Sequence, residues 1–210
     1  MPASARSDEE LMLAYAAGDA AAFDLLYARH KGGVYRYLLR HCRQSAIADE
    51  LFQDVWSNLI RARASYAPTA KFATWLYRLA HNRWVDQVRA DGHLTLVSTD
   101  DEAHAETVAS IPAARTDEPQ RHAENRELGA RLRAAVASLP PAQRDAFLLQ
   151  HEGGLSLAEI AELTGAGMET VKSRIRYAVA KLREELRDEP RDESCAGERG
   201  LDDGVREELG

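Results

Sequence analysis

Cysteine, proline and long apolar runs are all scarce in this chain of 210 residues, and each shortage excludes a class of protein. The two cysteines, Cys42 and Cys195, lie far apart in the chain, which favours free thiols over a disulfide or a redox pair. Seven prolines and thirteen glycines are too few for a low-complexity chain. No apolar run approaches the roughly 20 residues of a membrane-spanning helix, and the N-terminus lacks the apolar centre of a signal peptide. We therefore expect a cytoplasmic protein that does not insert into membranes.

The patterns that mark catalytic and metal sites are also missing. The chain has seven histidines, but His30, His41 and His81 do not show the spacing of an HExxH motif. Neither a phosphate-cradling glycine loop nor a nucleophile elbow occurs. We expect no catalytic residue, no metal ligand and no cofactor, and a helical enzyme or metal protein stays as the weaker alternative.

Charge is distributed unevenly, so the net charge of −7 is misleading. Residues 1–93 carry 12 basic and 10 acidic side chains, and residues 128–187 carry nine and seven. The acidic excess lies in residues 94–127 and in the tail. Because attraction to phosphate depends on the local field, both slightly basic parts are candidates for nucleic-acid binding.

Apolar residues recur at helical spacing through both of these parts, and no alternating strand pattern of useful length occurs. Residues 93–120 combine an acidic excess with no sustained apolar periodicity, which favours a flexible linker. The sequence therefore predicts an all-α protein with small helical domains at 8–92 and 121–187, joined by that linker. The remaining segment, 188–210, is predicted to be an acidic, disordered tail.

Residues 155–186 carry the strongest local pattern. Ser156 and Glu159 have the spacing of a capping box before a short helix, and the glycines of TGAG permit a sharp turn. No acid occurs between Thr170 and Arg183 in the helix that follows, which predicts a helix-turn-helix whose second helix enters a major groove. The residues expected to pack inward are Val171, Ile175, Ala178, Val179 and Leu182. The residues suited to base or phosphate contact are Thr170, Lys172, Ser173, Arg174 and Arg176. An ordinary helical hairpin with a solvated basic face stays an alternative.

Two parts of the chain carry a family pattern. The first is ADELFQDVWSNLIR followed by FATWLYRLAHNRWVDQVR, and the second is SLPPAQRDAFLLQHEGGLSLAEIAELTGAGMETVKSRIRYAVAKLR. They resemble the N-terminal and C-terminal domains of extracytoplasmic-function sigma factors, a subfamily of the sigma-70-type RNA polymerase sigma factors. The resemblance implies a protein that binds RNA polymerase core and directs promoter-specific initiation. It would recognise the minus-thirty-five and minus-ten promoter elements and melt the latter.

In the resembled family, the helix corresponding to residues 72–89 faces the minus-ten element, and the loop RASYAPTAK corresponds to a pocket for a flipped-out base. Separated bases can stack on aromatic rings while cations hold the backbone, and each stacked base contributes roughly 1–3 kcal/mol. The minus-ten residues implied in this way are Ser65, Tyr66, Trp75, Tyr77, Arg78, His81 and Arg89. The residues expected in the core instead are Phe72, Leu76 and Leu79, and Trp75 is open between core and DNA. For Asp86 we expect a structural hydrogen bond or a salt bridge rather than DNA contact.

The resemblance also implies protein partners. The polar stripe expected to dock on a coiled coil of the polymerase's largest subunit consists of Asp49, Glu50, Gln53 and Asp54, unless it is merely solvated. This chain has Ile47-Ala48-Asp49-Glu50 in place of the family's usual acidic start, and Tyr177 and Val179 replace frequent arginines. An anti-sigma factor is a further implied partner. The acidic linker would either thread a positively lined polymerase channel or serve as a plain tether.

A self-sufficient regulator is the main rival hypothesis. It would use the same helix-turn-helix on duplex DNA without polymerase, usually as a dimer, and its N-terminal domain would be sensory. Binding assays with and without core enzyme separate the two hypotheses.

Overall fold

The computed structural model of the chain describes residues 6–42, 44–90 and 119–187, with side chains in the last range from residue 127 onward. Within these ranges the backbone forms α-helices and no strand, which confirms the predicted all-α class. The predicted tail and nearly all of the predicted linker lie outside the described residues. The helices are α1 (Asp8–Ala16), α2 (Ala20–Cys42), α3 (Ser45–Ala62), α4 (Phe72–Ala90), α5 (Pro119–Ser138), α6 (Pro141–His151), α7 (Leu157–Thr164) and α8 (Met168–Arg187), with a short 3-10 helix at Arg63–Ser65. None of the described helices is long and apolar enough to cross a bilayer.

Helices α1 to α4 form the N-terminal domain around one apolar core. The capping box at the start of α1 is present, since the Ser7 hydroxyl accepts from the Glu10 backbone and the Glu10 carboxylate accepts from the Ser7 backbone. The Glu9 carboxylate accepts a 2.7 Å hydrogen bond from the Phe72 backbone at the start of α4. This bond keeps the pKa of Glu9 below its usual value and ties α1 to α4. The largest core side chains are Leu11, Met12, Leu26, Tyr37, Leu38, Leu51, Leu59, Phe72, Leu76 and Tyr77.

Helix α2 continues through Gly32 and Gly33, although the low helix propensity of glycine disfavours a helix at this pair. A Cβ on Gly33 would lie 2.6 Å from the Tyr77 hydroxyl oxygen, whereas one on Gly32 would meet only the tip of the Arg36 side chain, at 3.2 Å. Gly33 is therefore needed for the close approach of α4 to α2. The glycine makes the helix itself less stable at this position than alanine would.

Helices α5 to α8 form the C-terminal domain. The capping box of Ser156 and Glu159 opens α7, and Gly165 ends it in the left-handed conformation, with φ of 66°. The predicted inward stripe of α8 is buried at Val171, Ile175, Ala178 and Leu182, while Val179 is only partly buried. These features confirm the predicted helix-turn-helix geometry. Helix α5 begins two residues inside the predicted linker, with Pro119 in a position suited to a first helical turn.

The two domains pack against each other, which no sequence pattern indicates. Helices α2 and α4 contact α6 and the residues that follow it. The Tyr77 hydroxyl donates a 2.6 Å hydrogen bond to the carbonyl oxygen of Glu152, and a Cβ on Gly153 would lie 3.1 Å from the Tyr77 ring. Backbone and ring are therefore in van der Waals contact across the boundary between the domains.

Candidate DNA and polymerase interfaces

The first half of α8 carries the five residues predicted for the minus-thirty-five element, here called the recognition surface: Thr170, Lys172, Ser173, Arg174 and Arg176. Three of these side chains, Thr170, Lys172 and Arg176, are exposed, and the other two are half-buried. Since the apolar stripe of α8 packs inward, the polar face of the helix is directed away from the domain core.

The cations of the recognition surface have only weak contacts within the chain. Lys172 lies 3.7 Å from Glu169 one turn earlier, and both side chains are largely exposed, so the pair contributes little. The Arg176 guanidinium lies over the ring of Tyr177, 5.0 Å from its centroid. Lys181 differs from them because it donates to the carbonyl of Ser138 and so joins α8 to α5. The basic groups early in α8 can therefore meet phosphate without breaking a strong contact.

The loop before α4 and the first turn of that helix form an aromatic cluster. Trp75 is half-buried, with its ring 5.1 Å from that of Tyr66 and 5.9 Å from that of Phe72. The Tyr66 hydroxyl is buried and has no hydrogen-bond partner among the described residues, and burial raises its pKa so that it keeps its proton. Ser65 donates its own hydroxyl to the Ala62 carbonyl. The structure thus brings Tyr66 and Trp75 together and leaves a buried polar group there.

Two residues predicted to reach the minus-ten DNA are buried between their own domain, where both contact Tyr37, and the C-terminal domain. Tyr77 is 1% exposed and His81 is 9% exposed. Their polar atoms face Glu152 and Asp145 of the other domain, respectively. In this arrangement neither side chain can touch DNA, because the helix-turn-helix domain occupies the space in front of it.

The remaining minus-ten candidates on α4 lie at the surface. Arg78 is 42% exposed in its side chain and donates to the Glu162 carboxylate of α7 at 2.7 Å. Arg89 lies near the end of α4, 3.8 Å from Asp86, which agrees with the salt-bridge role expected for Asp86. The structure therefore distributes the minus-ten candidates over a covered part and an open part of α4.

A buried polar cluster lies between the domains. The Asp145 carboxylate of α6 accepts a 2.9 Å hydrogen bond from the Tyr37 hydroxyl, and one oxygen lies 3.4 Å from Nε2 of His41 and the other 3.4 Å from Nδ1 of His81. The ring of Trp84 stacks on His41 at 4.0 Å. Among the described residues, no group of three histidine, cysteine or acidic side chains is arranged to hold a metal ion.

Burial acts on both His41 and Asp145 of this cluster. Burial lowers the pKa of His41 despite the attraction of Asp145, so the imidazole is neutral near pH 7. Burial alone would raise the pKa of Asp145, but the adjoining His41 and His81 lower it below its usual value. At 3.4 Å His41 makes an electrostatic contact with Asp145 rather than a hydrogen bond.

Other acidic residues of the C-terminal domain meet basic or polar groups of the N-terminal domain. Glu152 accepts hydrogen bonds from Arg36 and Arg40 of α2, and its own side chain is 8% exposed. Glu159, the capping residue of α7, also accepts a 2.7 Å hydrogen bond from the Thr74 hydroxyl. The sequence did not single out Arg36, Arg40, Asp145 or Glu152. A helical pattern does not show which charged side chain will pair with a residue far away in the chain.

The predicted polymerase stripe on α3 is only partly open. Asp49, Glu50 and Gln53 are exposed. Asp54 is half-buried and accepts a 2.5 Å hydrogen bond from Arg83 of α4. The stripe therefore presents three residues to a partner, while the fourth also joins α3 to α4.

Two family models match this chain in the order of its domains. Sigma-70 region 2 matches residues 26–93, and Sigma-70 region 4 matches residues 129–182. The first range contains α3, α4 and most of α2, and the second contains the helix-turn-helix.

Several curated proteins resemble the chain over most of its length. The ECF RNA polymerase sigma factor SigM of Mycobacterium tuberculosis is 32% identical over 178 residues, which cover 84% of this chain and 83% of SigM. SigE of Mycolicibacterium smegmatis, also an ECF sigma factor, is 35% identical, and the match covers 81% of this chain and 65% of that longer protein. The RNA polymerase sigma factor CarQ of Myxococcus xanthus is 32% identical over 79% of this chain and 89% of CarQ.

Two solved structures share the fold. CnrH, in complex with the cytosolic domain of CnrY, aligns with a TM-score of 0.60 at 24% identity, covering 86% of this chain and 97% of CnrH. The sigma factor RpoE of Bartonella quintana, in complex with the anti-sigma factor NepR, aligns with a TM-score of 0.58 at 22% identity, covering 78% and 96%.

Proposed function

The chain belongs to the extracytoplasmic-function subfamily of sigma-70-type sigma factors, and we propose how its two domains divide the work of promoter recognition. As a sigma factor it directs RNA polymerase to specific promoters for transcription initiation. In our proposal the C-terminal domain reads the minus-thirty-five element, and the N-terminal domain binds polymerase core and opens the minus-ten element. The observation that carries this division is the exposed, weakly paired basic face of α8 beside an apolar stripe that is fully used in packing.

For the minus-thirty-five element, the recognition surface enters the major groove. Lys172 and Arg176 are exposed cations, suited to phosphate and to guanine edges. Thr170 and Ser173 have hydroxyls that can donate to phosphate or read base edges. Arg174 is half-buried and completes the basic set.

For the minus-ten element, Tyr66 and Trp75 form the wall of a pocket for one unstacked base. The support for this pocket is the buried, unpartnered Tyr66 hydroxyl beside a half-buried indole. Such a hydroxyl costs free energy until something binds it, and a base edge can do so. Ser65 borders the same pocket. Tyr77, Arg78, His81 and Arg89 would continue the contact along α4 once the C-terminal domain has moved away.

For polymerase core, the surface offered is the α3 stripe of Asp49, Glu50 and Gln53, with Asp54 at its edge. Its exposed carboxylates suit a basic partner. We also propose an anti-sigma factor as a regulator, because RpoE of Bartonella quintana was solved with one. The protein acts in the cytoplasm with the polymerase, without catalysis or a cofactor of its own.

Run-off transcription with purified core tests the proposal. Core enzyme with this chain should start transcripts at promoters that core alone does not use. The DNA upstream of these start sites should share two spaced sequence elements. In parallel, gel-shift assays on one of these promoters should show weak binding by the chain alone and strong binding with core. Tight, dimeric duplex binding without core would instead support the rival regulator.

A further inference from the structure

The contact between the domains is formed by carboxylates on one side and by cations, hydroxyls and imidazoles on the other. In the pairs that join the domains among the described residues, the acid belongs to the C-terminal domain and the basic partner belongs to α2 or α4 or lies immediately before α4. The ion pairs are Glu152 with Arg36 and Arg40, Glu159 with Lys71, and Glu162 with Arg78, and Asp145 faces the imidazoles of His41 and His81. The charged pairs therefore share one polarity, although two arginines of the C-terminal domain also face the contact, Arg133 near Arg40 and Arg144 near His41.

The covered surface has the chemistry of a nucleic-acid site. Arg36 and Arg40 approach the two oxygens of one carboxylate, an arrangement that suits a phosphate equally well. Beside them Tyr77 presents an aromatic face, on which a base can stack. Arg78, the next residue of α4, is a further cation of this surface and pairs with Glu162 of the C-terminal domain.

The fit between the domains is close where these groups meet. The Tyr77 hydroxyl lies between Gly33 of α2 and the Glu152 carbonyl, and a Cβ on Gly33 would be 2.6 Å from that hydroxyl and 3.2 Å from that carbonyl. Two of the acidic side chains, Asp145 and Glu152, are each 8% exposed. Burying a carboxylate is unfavourable unless it is paired. The burial of Asp145 and Glu152 therefore depends on their partners in the N-terminal domain.

We propose that Asp145 and Glu152 form an internal lock: in the free chain they occupy the α2–α4 surface in place of promoter phosphates, and Arg36 and Arg40 bind DNA there once the domains separate. This inference rests on the proposed minus-ten role of the N-terminal domain. It adds two DNA-contacting residues on α2 that no sequence pattern indicates. It also makes the exposed recognition surface independent of the lock, because α8 takes no part in these contacts.

The lock reduces the apparent affinity for DNA by the fraction of molecules that are open, since only an open molecule offers the α2–α4 surface. If about one molecule in ten is open, full release of the lock tightens binding about tenfold. The two sides of one ion pair then have opposite effects. Removing the acids opens the protein and keeps its cations, whereas removing the cations opens the protein and destroys the site.

The first experiment uses the full-length chain without polymerase. The lock variant is Asp145→Asn with Glu152→Gln, and the control is Glu184→Gln on the exposed face of α8. Small-angle X-ray scattering should show a larger radius of gyration for the lock variant than for the parent and control. Binding to a fluorescein-labelled single-stranded DNA of mixed sequence should tighten about tenfold. Glu152→Gln alone should give a smaller change in the same direction, and circular dichroism checks that all variants are folded.

The second experiment reverses the expectation. Arg36→Gln with Arg40→Gln should also enlarge the radius of gyration, yet it should weaken binding to the same DNA. If both arginines contact phosphate in the open chain, the slope of log K against log salt should fall by about 1.4 relative to the lock variant. Equal shifts in DNA affinity for the acid-side and the base-side variants would overturn the proposal, and so would an unchanged radius of gyration in the lock variant. Neither result would affect core-dependent run-off transcription, so failure of the lock is distinguishable from failure of the proposed function.

Discussion

The two surfaces that we propose to contact DNA differ in their exposure within the same structure. The recognition surface on α8 is open to solvent, whereas Tyr77 and His81 on α4 are almost completely covered. Both helices are amphipathic, and both carry cations near an apolar stripe. The difference is that the main packing partners of α8 are α5, α6 and α7 of its own domain, while α4 also meets acids of the other domain. One proposed nucleic-acid surface is therefore covered by the C-terminal domain of the same chain, while the other stays open to solvent.

The same contrast holds for the charged contacts. Lys172 is paired with a neighbour on its own helix, in solvent, where such pairs contribute less than about 1 kcal/mol. Arg40 is paired with a carboxylate that is 8% exposed, in a contact with far less screening. Binding DNA therefore requires little rearrangement at α8 and a separation of domains at α4.

The largest expected effect comes from reversing charge on the open surface. Lys172→Glu with Arg174→Glu should reduce transcription from a dependent promoter by at least about 30-fold, because each lost contact costs roughly 1–3 kcal/mol. Co-purification with core should be unchanged. The matched control is Arg183→Glu with Arg187→Glu, the same charge change on exposed residues at the far end of α8. Loss of core binding in the first variant would contradict the division of labour between the domains.

A smaller effect is expected from a change that alters the shape of the covered surface but not its charge. Gly33→Ala introduces a methyl group 2.6 Å from the Tyr77 hydroxyl and 3.2 Å from the Glu152 carbonyl oxygen of the other domain, so it should displace Tyr77 from Glu152, loosen the contact between the domains and tighten single-stranded DNA binding several-fold. Gly32→Ala is the control, since its methyl group meets only a flexible arginine tip. The control should leave scattering unchanged and stabilise α2 by about 0.5–1 kcal/mol in chemical unfolding. Identical scattering for both variants would argue against a close-fitting contact.

A pH-dependent effect of about 1 kcal/mol is expected at Glu159, which caps α7 and also touches α4. Hydrogen bonds from Ser156 and from Thr74, with the nearby Lys71 charge, lower its pKa to about 2. A carboxyl with a lowered pKa stabilises the fold above its unfolded pKa, near 4.5, and loses that contribution as the pH falls towards 2. Glu159→Gln should therefore reduce the free energy of unfolding by about 1 kcal/mol at pH 7. The difference from the parent chain should shrink below pH 4.5, and a constant difference would contradict the assignment.

The smallest effect is expected at Tyr66. Its hydroxyl is buried without a partner among the described residues, so Tyr66→Phe removes no hydrogen bond and should leave the free energy of unfolding unchanged or raise it by up to about 1 kcal/mol. Tyr37→Phe is the informative comparison, because that hydroxyl donates to Asp145 across the domain boundary. Urea unfolding should show a clear loss for Tyr37→Phe and almost none for Tyr66→Phe. A large loss at Tyr66 would mean that its hydroxyl has a partner in solution.

Local features of the fold were predictable because their causes lie within a few residues. The capping boxes at Ser7 and Ser156 and the left-handed turn at Gly165 follow from spacing and backbone sterics. The buried stripe of α8 follows from its 3.6-residue period. In each case the partner of the residue is on the same or the next helix, so the sequence pattern contains both members.

The contact between the domains was not predictable for the opposite reason. Arg36 and Glu152 are 116 positions apart, and each alone looks like a solvated surface charge. Tyr77 looked open to DNA because its own helix leaves it outside the apolar stripe, and its burial depends on Gly33 and Gly153 in other elements. Asp54 likewise belonged to an exposed stripe until the fold paired it with Arg83. Side-chain burial at such positions depends on tertiary packing, which the helical period of the sequence does not report.

Photo-crosslinking from position 78 tests the central claim most directly, since Arg78 lies at the border between the covered and the open parts of α4. A photoreactive amino acid placed there should crosslink to the peptide around Glu162 in the free chain. With core enzyme and a dependent promoter, the crosslink should move to the minus-ten DNA. Persistence of the protein crosslink in transcribing complexes, or an equal DNA crosslink without core, would contradict the account.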